Sequence, residues 1–458
     1  MEQDTIVAIA TPLTPSGIGI VRMSGDQAVL IADRVYQSKN KTKHLSECES
    51  HTIHYGFIMD GEECVDEVMV LLMKGPHSYT KEDSVEIDCH GGVVVMRRIL
   101  ELLIKNGARI AEPGEFTKRA FLNGRIDLSS AEAVIDLIDS KNEFARKSSL
   151  SQVQGAVYQE IQELREKILT QTAFIEAALD DPEHYSLDEY ETTLRPVLKE
   201  VSEKIRSLIH SFQNGSILKE GIQTAIVGKP NAGKSSLLNF LSGKEKAIVT
   251  DIAGTTRDII EEQIQLNGIT LQMIDTAGIR QSEDLIEQIG VQKAKELLKT
   301  ADLILYVVDS SVPLDENDFE IIELIQDQTA MVLLNKSDLE PVVTKEMLEE
   351  KTPHRVLSIS AAKREGLDLL EAEISEMFFH GEVSFNDQVV ITNLRQKGAL
   401  EDSLESLCMV EEGLNQGMTE DFLSIDLMNA YTSLGEITGE SVDEDLIDAI
   451  FEKFCMGK

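Results

Sequence analysis

The sequence predicts a multidomain α/β plus α chain. An N-terminal α+β domain comes first, and a discontinuous helical domain receives an inserted domain of alternating strands and helices. Three observations carry this expectation. A chain of 458 residues exceeds one ordinary domain and suggests about three. Short apolar runs separated by turns fill residues 1–118, whereas helical spacing dominates residues 113–212 and returns after Asn386. Between these, residues 222–380 alternate strand and helix with short turns, which calls for a parallel sheet covered on both faces.

Taken in order, Ile18-Gly19-Ile20-Val21-Arg22 and residues 67–72 and 85–89 read as strands. Residues 93–106 carry helical spacing ended by Gly107. A helix over 128–144 opens with Ser129 or Ser130 as cap and places Ala131, Val134, Ile135 and Ile138 on one face. Residues 153–180 continue in the same manner until Pro182 interrupts. A third helix covers 194–212, and Asn214-Gly215 marks a break. The expected domains are therefore 1–118, then 119–215 paired with 386–458, and 216–385 between them.

Bulk composition narrows the classes. With 42% apolar residues the chain can bury sizeable cores, yet no run reaches the roughly 18 to 20 apolar residues that span a bilayer. The opening Met1-Glu2-Gln3-Asp4 lacks the basic-then-apolar layout of a signal peptide, so a cytoplasmic protein away from membranes is expected. Five scattered cysteines (Cys48, Cys64, Cys89, Cys408, Cys455) form no CxxC pair and suggest reduced thiols rather than zinc or disulfides. A net charge of −38 repels a phosphate backbone and argues against broad nucleic-acid binding. Fifteen Asp and Glu and no Lys or Arg lie between Ala399 and Glu452, a solvated helical face or a surface for a basic partner.

The strand Thr224-Ala225-Ile226-Val227 runs into Gly228-Lys229-Pro230-Asn231-Ala232-Gly233-Lys234-Ser235, with Ser236 continuing as a helix. This pattern is a phosphate-binding loop. Its glycines let backbone N–H groups close around phosphates, and the helix N-terminus adds partial positive charge. Lys234 reaches the β/γ-phosphates and Ser235 ligates Mg²⁺. Thr250-Asp251-Ile252-Ala253-Gly254-Thr255-Thr256 forms the following loop, where Thr256 can complete the magnesium site. In Asp275-Thr276-Ala277-Gly278, Asp275 positions the magnesium shell and the Gly278 N–H senses the γ-phosphate.

The base is selected by Asn335-Lys336-Ser337-Asp338. The Asp338 carboxylate can accept from both guanine N1–H and the N2 amino group, donors that adenine does not offer in that geometry. Lys336 packs over the base, and Ser360-Ala361-Ala362 fits the loop whose N–H contacts guanine O6. Together these motifs read as a GTP hydrolase. Ile279 stands where many small GTPases place a water-orienting Gln, so another group must act instead; a carboxylate in the following segment is the natural candidate, and Asp284 and Glu287 are both close in sequence among several others. Positive charge for the transferring phosphoryl group must come from a further residue or an ion.

The ends of the chain add a resemblance. Cys455-Met456-Gly457-Lys458 resembles the Cys-x-Gly-Lys ending of the MnmE (TrmE) family of tRNA-modification GTPases. Asp4-Thr5-Ile6-Val7-Ala8, Gly17–Gly25, Cys89-His90-Gly91-Gly92, residues 113–124 and Leu128-Ser129-Ser130-Ala131-Glu132-Ala133 are similar to its other motifs, so the likeness covers the whole chain. The resemblance implies an N-terminal folate-binding domain that forms a homodimer, a discontinuous helical domain, and an inserted P-loop Ras-like GTPase domain. It further implies modification of carbon 5 of the wobble uridine (position 34) in certain tRNAs to aminomethyl- or carboxymethylaminomethyl-uridine. The FAD-dependent partner MnmG would join in a heterotetramer or larger complex and hold most of the tRNA.

The implied one-carbon source is a tetrahydrofolate derivative, 5,10-methylene- or 5-formyl-tetrahydrofolate, with glycine or ammonium supplying nitrogen. The implied folate residues are Arg22, Glu86, Arg125 and Lys458. Arg125 stands where other members carry Lys, which keeps charge but changes donor geometry. Cys455 invites a nucleophile's role, while Phe454 and Met456 beside it suggest packing. The resemblance also implies activation by K⁺, held by Asn231 with backbone oxygens of Thr250, Ile252 and Thr255, and assigns water orientation to Glu287 rather than Asp284.

Two rival readings differ in class. A regulatory GTPase of ribosome assembly would share the phosphate and guanine motifs but usually carries a basic RNA-binding module. A folate enzyme with a degenerate nucleotide domain conflicts with intact Lys234, Ser235, Asp275 and Asp338.

Overall fold

The computed structural model describes residues 4–39, 41–187, 190–242, 262–266, 269–274, 301–379, 389–440, 442–454 and 457. They fall into two compact units. One comprises Met1–Ile138, Leu150–Ser202 and Gly398–Lys458; the other comprises Asp139–Ser149 and Glu203–Lys397.

In the first unit, strands β1 (Ile6–Ile9), β2 (Ser16–Ser24), β3 (Tyr36–Ser38), β4 (Thr52–Asp60), β5 (Glu63–Met73), β6 (Ser84–Gly91) and β7 (Arg109–Ile110) form one sheet in the order β3-β4-β5-β6-β2-β1-β7. All pairs are antiparallel except β1 with β7. Alternation along the strands sends Val21, Met23, Val70, Leu72, Val85 and Ile87 to one face. There they bury against Ile31, Met96, Ile99 and Leu103 of helices Ala28–Val35 and Val93–Lys105, each contributing about 1.5–3 kcal/mol. The opposite face carries two cross-strand rows: Ile53, Leu71, Glu86 and Arg22, then Tyr55, Met69, Asp88 and Ile20. Ile53 is 63% exposed and Tyr55 48%, so this face is apolar and open at its β4 end.

Helical segments complete the unit. Helix Ala156–Asp180 buries Ile161, Leu164, Ile168 and Ile175, and helix Glu420–Thr438 packs on it through Leu423, Leu427, Ala430 and Leu434. Phe451 and Phe454 close against Leu128 and Ala131.

Helix boundaries differ from expectation at three places. The first helix ends at Ile138, and a second runs Glu143–Val153. The start of the first helix, Leu128–Ile138, is capped by Asp127, whose Oδ1 accepts the N–H groups of Ser129 (2.9 Å) and Ser130 (3.1 Å), so the serines are capped rather than capping. The expected break at Asn214-Gly215 is absent, because one helix runs Tyr190–Glu220. Gly215 serves packing instead: a Cβ there would lie 2.2 Å from the Ile391 carbonyl oxygen.

In the second unit, strands β8 (Ile222–Val227), β9 (Glu262–Leu266), β10 (Ile269–Met273), β11 (Leu303–Asp309), β12 (Ala330–Asn335) and β13 (Arg355–Ser358) lie in the order β13-β12-β11-β8-β10-β9. Only β9 is antiparallel to its neighbour. Both faces are covered, as the sequence predicts. Leu303, Leu305, Val307, Met331 and Leu333 enter one core with Leu237, Leu241, Leu370 and Ile374. Ile304, Tyr306, Val308, Val332 and Leu334 enter the other with Ile321, Ile322 and Ile325. Every residue of β11 and β12 is therefore buried, the continuous apolar run of an interior parallel strand.

Candidate functional site

At the carboxyl ends of the parallel strands, two loops meet. The Gly228–Gly233 loop leaves β8 and enters helix Lys234–Ser242. Asn231 takes a left-handed φ of 63°, a conformation that asparagine tolerates, and its side chain is exposed. The Lys234 ammonium donates to the Gly228 carbonyl at 2.7 Å and the Lys229 carbonyl at 2.8 Å, which seats it within the loop. Ser235 and Ser236 are exposed on the first helical turn.

Asn335, 2% exposed at the end of β12, ties this loop to the next. Its Nδ2 donates to the Ala232 carbonyl at 2.9 Å, and its Oδ1 accepts the Ala361 N–H at 3.1 Å. Gly233 is required there, with φ 103° and space so tight that a Cβ would lie 2.1 Å from Asn335 Nδ2. The Ser360 hydroxyl donates to Asp338 Oδ1 at 2.6 Å and holds that carboxyl below its ordinary range, ionised at neutral pH. Lys336 is also left-handed, with φ 63°. Its ammonium pairs with Asp309, and its carbonyl accepts the Ser310 hydroxyl at 3.0 Å.

Asn335, Lys336, Asp338, Ser360 and Ala361 are thus brought together, and Asn335 joins them to Ala232, Gly233 and the Lys234 loop. Sequence reasoning missed Asp309 and the Lys229 pair with Asp315 (2.9 Å) and Asp318 (2.6 Å). An acidic residue closing the fully apolar β11 was the available signal for Asp309. Thr250, Asp251, Ile252, Ala253, Gly254, Thr255, Thr256, Asp275, Thr276, Ala277, Gly278, Ile279, Asp284 and Glu287 lie outside the described residues.

A second polar cluster lies on the open face of the N-terminal sheet. Arg22 and Glu86 are direct cross-strand partners, and Arg22 Nε reaches Glu86 Oε1 at 2.6 Å. Arg22 Nη1 donates to the Gly457 carbonyl at 3.0 Å, which ties Gly457 to the sheet. The Arg22 guanidinium lies 5.8 Å from the Phe116 ring centre, and Arg125 lies 4.6 Å above Tyr79. Both rings belong to one small core with Ile6, Ala8 and Ala111, so Arg22, Glu86 and Arg125 gather around it. Lys458 and Cys455 lie outside the described residues. Cys48, Cys64, Cys89 and Cys408 are free thiols, and burial pushes Cys89 up to about 11.

Residues 5–125 match the family model "GTP-binding protein TrmE N-terminus", and residues 128–455 match "MnmE helical domain". The chain is 56% identical over 458 residues to the tRNA modification GTPase MnmE of Lachnoclostridium phytofermentans, covering 100% of both chains. The protein of that name from Acetivibrio thermocellus is 47% identical over 465 residues, again with 100% of both covered. That from Enterococcus faecalis is 47% identical over 462 residues, covering 100% of this chain and 99% of its own.

Proposed function

The chain belongs to the MnmE family, and from that premise we propose that it hydrolyses GTP in the modification of tRNA. The observation that supports this best is Asn335, which links the phosphate loop through Ala232 to the guanine loop through Ala361. One buried side chain then holds the phosphate loop against the guanine loop. Asp338, kept ionised beside Ser360, accepts the N1–H and amino group of guanine, and Lys336 covers the base. Lys234 neutralises charge developing on the β/γ-oxygens, while backbone N–H groups of Asn231, Ala232, Gly233, Ser235 and Ser236 close around them.

Mg²⁺ is assigned to the Ser235 hydroxyl with Thr256, because this ion is commonly bound through few protein oxygens together with substrate phosphates. Bound Mg²⁺ and K⁺ would supply positive charge to the transferring phosphoryl group. Asn231 is the side-chain ligand proposed for K⁺, with backbone oxygens of Thr250, Ile252 and Thr255. Glu287 orients the attacking water.

In the N-terminal unit, Glu86 and Arg22 fit a folate: a carboxylate suits the pterin's donor edge, and guanidinium groups of Arg22 and Arg125 suit its glutamate tail. Lys458 adds a further cation. The proposed product is the carbon-5 aminomethyl or carboxymethylaminomethyl group of wobble uridine, made with a cytoplasmic MnmG-type FAD partner from a tetrahydrofolate one-carbon unit. The exposed apolar side chains of Ile53, Tyr55 and Met69 on one sheet face support a homodimer through the N-terminal domain. The division proposed is 1–118, 119–215 with 386–458, and 216–385. No described helix is long and apolar enough to cross a membrane.

GTP turnover measured in K⁺ and in Na⁺, with and without the FAD partner, tests the assignment. Strong turnover in K⁺ and weak turnover in Na⁺ is expected; equal rates would remove the potassium site. Normal wobble-uridine nucleosides in cells lacking the protein would remove the tRNA reading itself.

A further inference from the structure

Beside the Arg22–Glu86 pair stands a carboxyl with a different environment. Asp88 lies two residues beyond Glu86 on β6 and therefore on the same open face of the sheet. Its cross-strand neighbours on both sides are apolar: Ile20 on β2 and Met69 on β5. Glu86, one row away, has Arg22 as its partner at 2.6 Å. Asp88 Oδ1 is sealed from solvent and meets no hydrogen-bond donor among the described residues. Burial raises the Asp88 carboxyl above its ordinary range, and neighbouring Glu86 adds to the effect. A buried polar atom without a partner costs free energy, and few survive in folded proteins without a reason.

Resting on the folate reading of this face, we propose that Asp88 determines the ligand's oxidation state, accepting a hydrogen bond from a ring N–H on the reduced half of a tetrahydropterin while Glu86 holds the amino edge. Side chains two residues apart on one strand face stand about 6.6 Å apart, a span that lets two carboxylates reach the amino edge and N8 of one fused bicycle. The chemistry discriminates. A tetrahydropterin carries N–H at ring nitrogen N8, whereas the fully oxidised ring presents a bare lone pair there. An acceptor facing that nitrogen is satisfied by the first and opposed by the second. Apolar Ile20 and Met69 on either side leave the ring nitrogen as the donor that pairs Oδ1.

Calorimetric titration of the full chain with 5-formyltetrahydrofolate and with folic acid tests this. The wild type should prefer the reduced ligand. Asp88→Leu should weaken the reduced ligand by about tenfold or more while leaving folic acid within about twofold, so that the preference collapses. Asp88→Asn, isosteric and still an acceptor, should fall between. The melting temperature of unligated Asp88→Leu should hold or rise, because an unpaired buried carboxyl has been removed.

An unchanged preference overturns the proposal, as does equal loss of both ligands or a loss that follows a fall in melting temperature. Weakened self-association with an unchanged preference would give Oδ1 to a second copy of the chain and overturn it too. Glu86→Gln separates the two levels of inference. If the wild type binds neither ligand, the folate reading falls together with this one. If Glu86→Gln abolishes binding while Asp88→Leu keeps the preference, only the assignment to Asp88 falls.

Discussion

The parallel sheet of the second unit and the mixed sheet of the first differ in how each builds a polar site. In the parallel sheet both faces are sealed by helices, so β11 and β12 have no free surface and chemistry is confined to loops at the strand ends. Loop residues adjacent in sequence then act together, as in Asn335 to Asp338. In the N-terminal sheet helices cover one face, and the other holds Arg22, Glu86 and Asp88 on the strands themselves. Partners there come from distant parts of the chain: Glu86 lies 64 residues from Arg22 and Gly457 lies 435. A loop site can be specified by a short motif, whereas a face site is specified by register.

Mutations that strike one sheet should test that separation. Lys234→Ala has the largest expected effect, lowering GTP turnover by about 10²–10³-fold, the scale for losing one charge-stabilising donor. A parallel loss of 5-formyltetrahydrofolate affinity would break the separation. Arg22→Ala removes charged hydrogen bonds to Glu86 and to the Gly457 carbonyl, and folate affinity should fall by about 10- to 100-fold in titration calorimetry. Retained affinity would remove the open face as the folate site.

Gly233→Ala should cost about 1–3 kcal/mol in denaturant unfolding, since φ 103° and the contact with Asn335 both oppose a Cβ. Adding Asn335→Ala should recover the part due to the contact and leave the backbone part. No recovery would show that backbone strain alone governs Gly233.

The smallest effect concerns acid stability of the N-terminal unit. Burial raises the Glu115 carboxyl, but Arg109, the Glu112 N–H and Arg119 outweigh it and leave it lowered. A lowered folded value gives stability that is present above the ordinary glutamate value of 4.5 and is lost as pH falls through the folded value. Glu115→Gln should therefore cost about 1 kcal/mol at neutral pH, and its deficit against wild type should fade in melts taken below pH 4.5. A deficit that persists in acid would trace the cost to packing.

How much was legible follows the same division. Gly228–Ser235, Asn335 to Asp338 and Ser360-Ala361 could be read as motifs from spacing, because each lies within one short loop. Asp309, which holds Lys336, could not, because β11 reaches β12 only through sheet pairing. The helix cap at Asp127 was misplaced by two or three residues because Ser and Asp both suit that position, and only the hydrogen bonds decide between them. Asn214-Gly215 read as a stop by local propensity, yet the helix continues to Glu220 and Gly215 lies where a Cβ would meet the Ile391 carbonyl.

By itself the sequence determined the alternation of strand and helix, the loop motifs for phosphate and guanine, and the resemblance that led to the family. Those features are local, set by residue type and spacing along one segment. Tertiary structure alone decided that Arg22, Glu86 and Gly457 meet, that Arg125 joins them through the Tyr79 and Phe116 core, and that Asp88 lies between Ile20 and Met69 with no donor to Oδ1 among the described residues. The physical reason is strand register: it fixes which distant residues become neighbours and which side chains share a face, and no short stretch of sequence encodes it.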